Sequence, residues 1–222
     1  MTLKLPDFVK RELREQYENA IKACVQDYPH RLANEDGLTA VMGNKLEEAV
    51  QGGLRGYVWA TKAIDLGSSR ARNQHEEPDL GADMILEISY RTPRGRSRVK
   101  TLLIQAKKRG DYDKPRLSKQ CEAMEGLPNG HGRHIVVEYS EGGYTAIGAD
   151  AVKGRDGSIA KSRELGKPLQ EALGGEFLQC RIGQLGVYYD IDSRRLRIPG
   201  NPDFKIAAKT VVETKVVRRR QK

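Results

Sequence analysis

Near the start of the chain, apolar positions recur at helical spacing in two stretches. Val9, Leu13, Tyr17, Ala20, Ile21 and Cys24 fall three or four apart with charged residues between them, predicting an amphipathic packing helix over residues 6–25. Tyr28-Pro29 ends it. Asn34-Glu35-Asp36-Gly37 then introduces a second helix with a stripe of Leu38, Met42, Leu46, Ala49 and Val50, stopped by Gly52-Gly53. Over residues 56–66 the pattern becomes that of a strand, one that could lie at a sheet edge.

The next two runs dominate the chain. Residues 81–90 and 99–107 are apolar and rich in β-branched side chains, and the polar segment between them carries the turn sequence Thr92-Pro93-Arg94-Gly95. The spacing predicts a β-hairpin. Alternation puts Gln105 and Lys107 on one face and Ala106 on the other. If the turn centres on Arg94 or Gly95, Asp83 falls opposite Gln105 or Lys107. An anion, an amide and a cation then meet at the hairpin's open end.

Beyond the hairpin, residues 116–127 read as a short helix with Leu117, Gln120, Cys121 and Met124 on one side. Residues 134–139 and 144–147 read as two strands joined by Glu141-Gly142-Gly143. Residues 152–158 look loop-like, residues 160–173 helical, with Gly174-Gly175 as the stop. Residues 176–191 fit either a last strand or a helix–strand mixture, and the tail after Pro199-Gly200 either an edge strand or a basic arm. The element order describes a central mixed sheet flanked by helices, an α/β or α+β domain. The divisions drawn are an N-terminal packing helix over 1–30, a main domain over 31–198, and a basic tail over 199–222.

Composition narrows the partners. The 222 residues carry a formal net charge of +9, which favours nucleic acid first and an anionic membrane surface second. Arg91, Arg94, Arg96, Arg98 and Lys100 crowd the hairpin tip, Lys107, Lys108 and Arg109 its exit, and Arg218, Arg219 and Arg220 the C-terminus. Cys24, Cys121 and Cys180 form no C-x-x-C pair, which fits reduced thiols in a cytoplasmic protein. No apolar run approaches a membrane span and no signal core opens the chain, so a cytoplasmic protein with no membrane association is expected. Aromatic residues are sparse, favouring duplex over single-stranded nucleic acid.

The hairpin mouth has the residue types that phosphodiester hydrolysis uses. Hard cations take carboxylates, carbonyls and water as ligands. Asp83 is a natural direct ligand, the Gln105 side-chain oxygen a neutral one, and the Ala106 backbone carbonyl a third. Lys107 suits the attacking water or the transition state. Glu35 would either cap its helix or face the same site, binding a metal through water. Glu76, Glu77 and Asp79 read as a solvated loop, with Asp79 a poorer ligand than Asp83 because it precedes the strand. His131 and His134 lack metal partners and read as structural, and no nucleotide-binding loop or nucleophile elbow is present.

A helical Glu, an Asp at the head of a hairpin and Gln-x-Lys at its far end resemble the PD-(D/E)XK nuclease superfamily, in particular its Mrr-like and restriction-endonuclease members. The resemblance covers about residues 35–120. It implies a restriction-endonuclease-like fold and a Mg²⁺-dependent DNA endonuclease, with Mn²⁺ able to substitute. It assigns catalysis to Glu35, Asp83, Gln105 and Lys107, and places Gln120 near the substrate. Arg94, Arg96, Arg98 and Lys108 would contact the DNA backbone. Anti-phage defence or restriction is the implied setting, and a homodimer or larger homo-oligomer the implied assembly. Gln105 stands where most members carry an acid, so a catalytically inactive DNA-binding or assembly module is the alternative expectation.

Overall fold

The central sheet is a four-stranded meander extended by a crossover. The computed structural model describes residues 5–28, 35–66, 80–110, 112–126, 133–190, 195–198 and 201–207. The Glu76, Glu77 and Asp79 carboxylates, His131 and the arginines at 218–220 lie outside the described residues. Helices α1 (Asp7–Asp27) and α2 (Glu35–Ala49) come first. Strands β1 (Gln51–Leu54), β2 (Tyr57–Asp65), β3 (Met84–Arg91) and β4 (Ser97–Lys108) then run antiparallel, each beside the next. Helix α3 (Lys114–Glu125) carries the chain to β5 (Ile135–Ser140), which is parallel to β4. Strands β6 (Gly143–Gly148) and, after α4 (Ala149–Lys153) and α5 (Ile159–Ser162), β7 (Lys167–Pro168) complete the order β1-β2-β3-β4-β5-β6-β7. The short β8 (Gln184–Leu185) pairs with β4, and β9 (Tyr188–Asp190), β10 (Arg195–Ile198) and β11 (Asn201–Ala207) form a second, three-stranded sheet. The protein is a mixed α/β structure with a central mixed sheet flanked by helices.

Strand β4 is buried from Lys100 to Ala106, as befits a strand covered on both faces. Leu102, Ile104 and Ala106 join Met84, Leu86 and Ile88 against α1 and α2. Leu103, Ile85 and Val136 face Leu117, Cys121 and Met124 of α3. Helix α1 belongs to the first of these cores: Val9, Leu13, Tyr17 and Ile21 are buried there, and the Trp59 indole donates to the Gln16 side-chain oxygen at 2.9 Å.

Three sequence expectations change. Gly52-Gly53 do not merely end α2 but form β1, which leaves β2 between two strands rather than at an edge. The expected helix over 160–173 is broken into α5, a 3₁₀ turn (Arg163–Leu165), β7, α6 (Leu169–Glu171) and a π-helical turn (Ala172–Phe177). Pro168 is the cause: it pushes Lys167 out of the helical region, and the two extended residues pair with Thr145 and Ala146 of β6. Gly174 lies inside the π turn against Arg14, where a Cβ would come within 2.9 Å of Arg14 Cγ.

Candidate functional site

The turn of the β3–β4 hairpin sits where Thr92-Pro93-Arg94-Gly95 predicts it, with the Gly95 N–H donating to the Thr92 carbonyl at 2.9 Å. Gly95 takes a positive φ of 76°, a conformation glycine adopts without a Cβ penalty. The register runs unbroken from Arg91↔Ser97 to Met84↔Ile104, and the Asp83 N–H donates to the Ile104 carbonyl at 3.0 Å. Asp83 therefore faces Gln105. The Asp83 Oδ2 accepts from the Gln105 amide and, at 2.9 Å, from the Ala106 N–H.

Glu35 completes the group from α2. As the first helical residue it could have served its own helix, but its carboxylate turns to the end of β4. Its Oε1 accepts from the Lys107 ammonium and its Oε2 from the Lys108 N–H at 3.3 Å. Lys107 Nζ also lies 3.9 Å from Asp83 Oδ2, so one cation stands between two carboxylates. Side-chain exposures of 27% for Glu35, 23% for Asp83 and 13% for Lys107 leave the group open to solvent on one side.

Burial pushes the Asp83 carboxyl up to about 6. Lys107 and the Ala106 N–H pull it down and Glu35 pushes it up, but desolvation is the largest of these effects. Asp83 consequently changes charge near neutrality, where an ordinary aspartate is fully ionised.

Two buried acceptors in the site region have no hydrogen-bond partner, the Gln105 Oε1 and the Gln120 Oε1. Gln120 is held close to the hairpin mouth by Gly81, where a Cβ would lie 2.0 Å from the Gln120 carbonyl oxygen. Unpartnered buried oxygens are costly, and a hard cation or a bound water would satisfy them. The donor set suits such a cation: the Asp83 carboxylate, the Gln105 oxygen after a turn of the amide, the Ala106 carbonyl, and Glu35 through water. It is poor in charge. Among the described residues no three His, Cys, Asp or Glu side chains cluster.

Other predicted residues are placed elsewhere. Arg94, Arg96 and Arg98 sit at the hairpin tip, about 27 Å from Asp83 along eight extended residues. They are not part of the site at the mouth. Lys100, counted with them in the sequence, is fully buried: its ammonium donates to the Phe177 carbonyl and lies 4.4 Å from the Phe177 ring centroid. Burial lowers its pKa to about 8, against an opposing effect of Cys180. His134 is structural, as expected. Its Nδ1 accepts the Leu103 N–H at 3.2 Å, just where β5 has not yet begun to pair with β4.

The sequence reading passed over Glu138. Its register partner across the parallel β4–β5 pair is Lys107, and its side chain is fully buried. Arg163 grips it with two bonds (Nε to Oε2 2.9 Å, Nη2 to Oε1 2.6 Å) and Arg109 with two more at 3.2–3.3 Å. Burial alone would raise this carboxyl, but the two guanidinium groups outweigh it and hold the pKa below its ordinary value. A lone acid inside the run Ile135-Val136-Val137-Glu138-Tyr139 was the available signal.

No protein-family model, no curated protein and no solved structure matches this chain. Among the described residues no helix is long and apolar enough to cross a membrane.

Proposed function

We propose that the chain is a metal-dependent endonuclease that hydrolyses phosphodiester bonds in duplex DNA on a restriction-endonuclease-like fold. The observation that carries this reading is the convergence of Glu35, Asp83, Gln105 and Lys107 at one half-buried end of the sheet, from positions up to 72 residues apart. Asp83, Gln105, the Ala106 carbonyl and, through water, Glu35 would hold Mg²⁺ or Mn²⁺. That ion would supply neutralisation of the charge developing on phosphorus and a more acidic water.

The protein's own groups have defined tasks in this reading. The Ala106 N–H fixes the Asp83 carboxylate at the mouth of the hairpin. Glu35 holds Lys107 in place and keeps it charged beside a half-buried carboxylate. An ammonium has three donors, and the two carboxylates here do not exhaust them. The remaining donor would meet an oxygen of the phosphate or orient the attacking water. The net positive charge supplies salt-dependent attraction to the DNA backbone. A cytoplasmic homodimer acting in restriction or anti-phage defence is the setting that accompanies this reading, because each site would cut one strand.

A test is plasmid cleavage by the purified chain with Mg²⁺, compared with Asp83→Ala and Lys107→Ala. Cutting by the parent and loss in both variants supports the site; undiminished cutting in both overturns it.

One observation favours a second reading, a DNA-binding or assembly module without catalysis. Lys107 already serves as the cation for both carboxylates, and Gln105 withholds the charge that would tighten a metal. That reading expects salt-sensitive duplex binding, no heat of binding on titration with Mn²⁺, and no cleavage with any divalent ion.

A further inference from the structure

A second feature lies just past the end of β4. A cleft of about 690 Å³ opens between α1, the β5–β6 turn and the segment around β7. Lys22, Arg109, Arg163 and Lys167 line it, and no Asp or Glu does. Its floor at Gly142-Gly143 carries no side chains, and a Cβ at either glycine would meet nothing within 4 Å, so a ligand can approach the backbone there.

The cations are set in place from behind. Glu138 is fully buried, while the Arg109 and Arg163 side chains it holds remain 50% and 41% exposed. One hidden carboxylate thus orients two guanidinium groups whose outer edges still face solvent. A planar guanidinium held in this way loses little further freedom on meeting a phosphate. Lys22 pairs with Glu18 at 2.8 Å and Lys167 with Glu176, both in partly exposed ion pairs of small worth that a phosphate can replace. If the Arg109–Glu138–Arg163 group only tied β5 to the 3₁₀ turn, one arginine would neutralise the carboxylate; the second adds a positive charge to the cleft.

We propose that this cleft is a phosphate-binding site, and that its occupant is the backbone of the nucleic-acid strand leading away from the Asp83 site. Arg109 follows Lys107 by two residues, about 7 Å of chain, and both belong to the same end of the sheet. A strand lying over Lys107 would continue onto Arg109 and Arg163. The choice of a nucleic-acid strand over a free phosphate compound rests on the nuclease reading; the charge and shape of the cleft do not.

The test measures binding in EDTA, so that absence of nuclease activity leaves it intact. A short labelled duplex is titrated by fluorescence anisotropy with the wild-type chain, Lys22→Glu, and the paired variant Glu138→Gln with Arg163→Gln, which removes the buried charge together with one of its partners. Thermal melting with inorganic pyrophosphate is recorded alongside. Lys22 is on the surface, so its reversal tests the site even if the paired variant unfolds. We expect duplex affinity to fall about tenfold in each variant and the salt slope to shrink by about one for each charge neutralised. Unchanged duplex affinity with a pyrophosphate-induced rise in Tm that the variants lose would assign the same site to a free phosphate compound. If neither duplex affinity nor the pyrophosphate response changes in Lys22→Glu, the cleft is not a phosphate site.

Discussion

Gln105 meets Asp83 through its amide nitrogen, not its oxygen: Nε2 donates to Asp83 Oδ2, and Oε1 is left buried without a partner. Two facing oxygens repel, so without a cation between them the amide must present its nitrogen. A divalent ion reverses this preference, because the oxygen is then the ligand. Metal addition should rotate the Gln105 amide, seen as a large shift of its side-chain NH₂ resonances in ¹⁵N NMR spectra on titration with Mg²⁺. Resonances that stay in place at saturating Mg²⁺ would remove Gln105 from the ligand set.

Gln105→Glu should make the folded protein more dependent on metal. A second carboxylate opposite Asp83 adds like-charge repulsion in the apo state and a stronger ligand in the bound state. The variant should melt lower than the parent in EDTA and gain more from Mn²⁺, with about 2.7 kcal/mol of stabilisation at a hundred times its Kd. Equal Mn²⁺ responses in parent and variant would argue against a cation between residues 83 and 105.

The pH dependence of Asp83 follows from its raised pKa of about 6. Metal binding and cleavage should fall as pH drops through that value. For stability the sign is opposite. The folded carboxyl holds its proton more tightly than the unfolded one, so its contribution is complete below pH 3.8 and disappears as pH rises through about 6. Asp83→Asn should therefore stabilise the metal-free protein at pH 8 by about 1–3 kcal/mol and make little difference near pH 3.5. Urea unfolding of both proteins at the two pH values checks the prediction.

His134 should be a principal site of acid sensitivity. Burial lowers its pKa to about 4, below the ordinary 6.5. Its contribution to stability is complete above 6.5 and is lost as pH falls through 4, about 3 kcal/mol in all. His134→Asn keeps an acceptor for the Leu103 N–H without a titrating ring. Unfolding midpoints between pH 7 and 4 should decline less in the variant than in the parent; parallel declines would contradict the assignment.

Lys107→Met should separate chemistry from binding. Loss of the ammonium removes a donor at the reacting phosphate and leaves Glu35 and Asp83 facing each other uncompensated. Single-turnover cleavage should fall by about a hundredfold or more, while the duplex Kd in EDTA changes only by about the worth of one phosphate contact. An equal loss in both would make Lys107 a binding residue.

The hairpin was legible because two signals agreed: the turn sequence at 92–95 fixed its centre, and the apolar alternation fixed which side chains share a face. Together they brought Asp83 to Gln105 before any coordinates. The same geometry, followed further, would have separated the tip arginines from the mouth, since the two ends of a hairpin are as far apart as its strands are long. Lys100 could also have been read correctly. It keeps step with Leu102, Ile104 and Ala106, all on the core side, so its charge was never on the surface. The break at Pro168 was missed because helical periodicity continued across it, while the proline's effect on Lys167 is a backbone restriction that no hydrophobic pattern carries. Glu138 was missed because its partners, Arg109 and Arg163, come from segments distant in sequence, and only the fold unites them.

Gly81 gives the site an unusual kind of signature. The two acceptors whose chemistry defines the mouth belong to residues that other side chains could replace: an acid serves where Gln105 stands, and several polar groups would serve at Gln120. No side chain can replace the hydrogen of Gly81 while α3 lies against it, because any Cβ would overlap the Gln120 carbonyl. In chains descended from the same ancestor, the catalytic letters are free to drift with the reaction, but a glycine two places before the hairpin aspartate is not. The spacing Gly-x-Asp, followed by Gln-x-Lys on the returning strand, is therefore the better query for finding its relatives than the acidic residues alone.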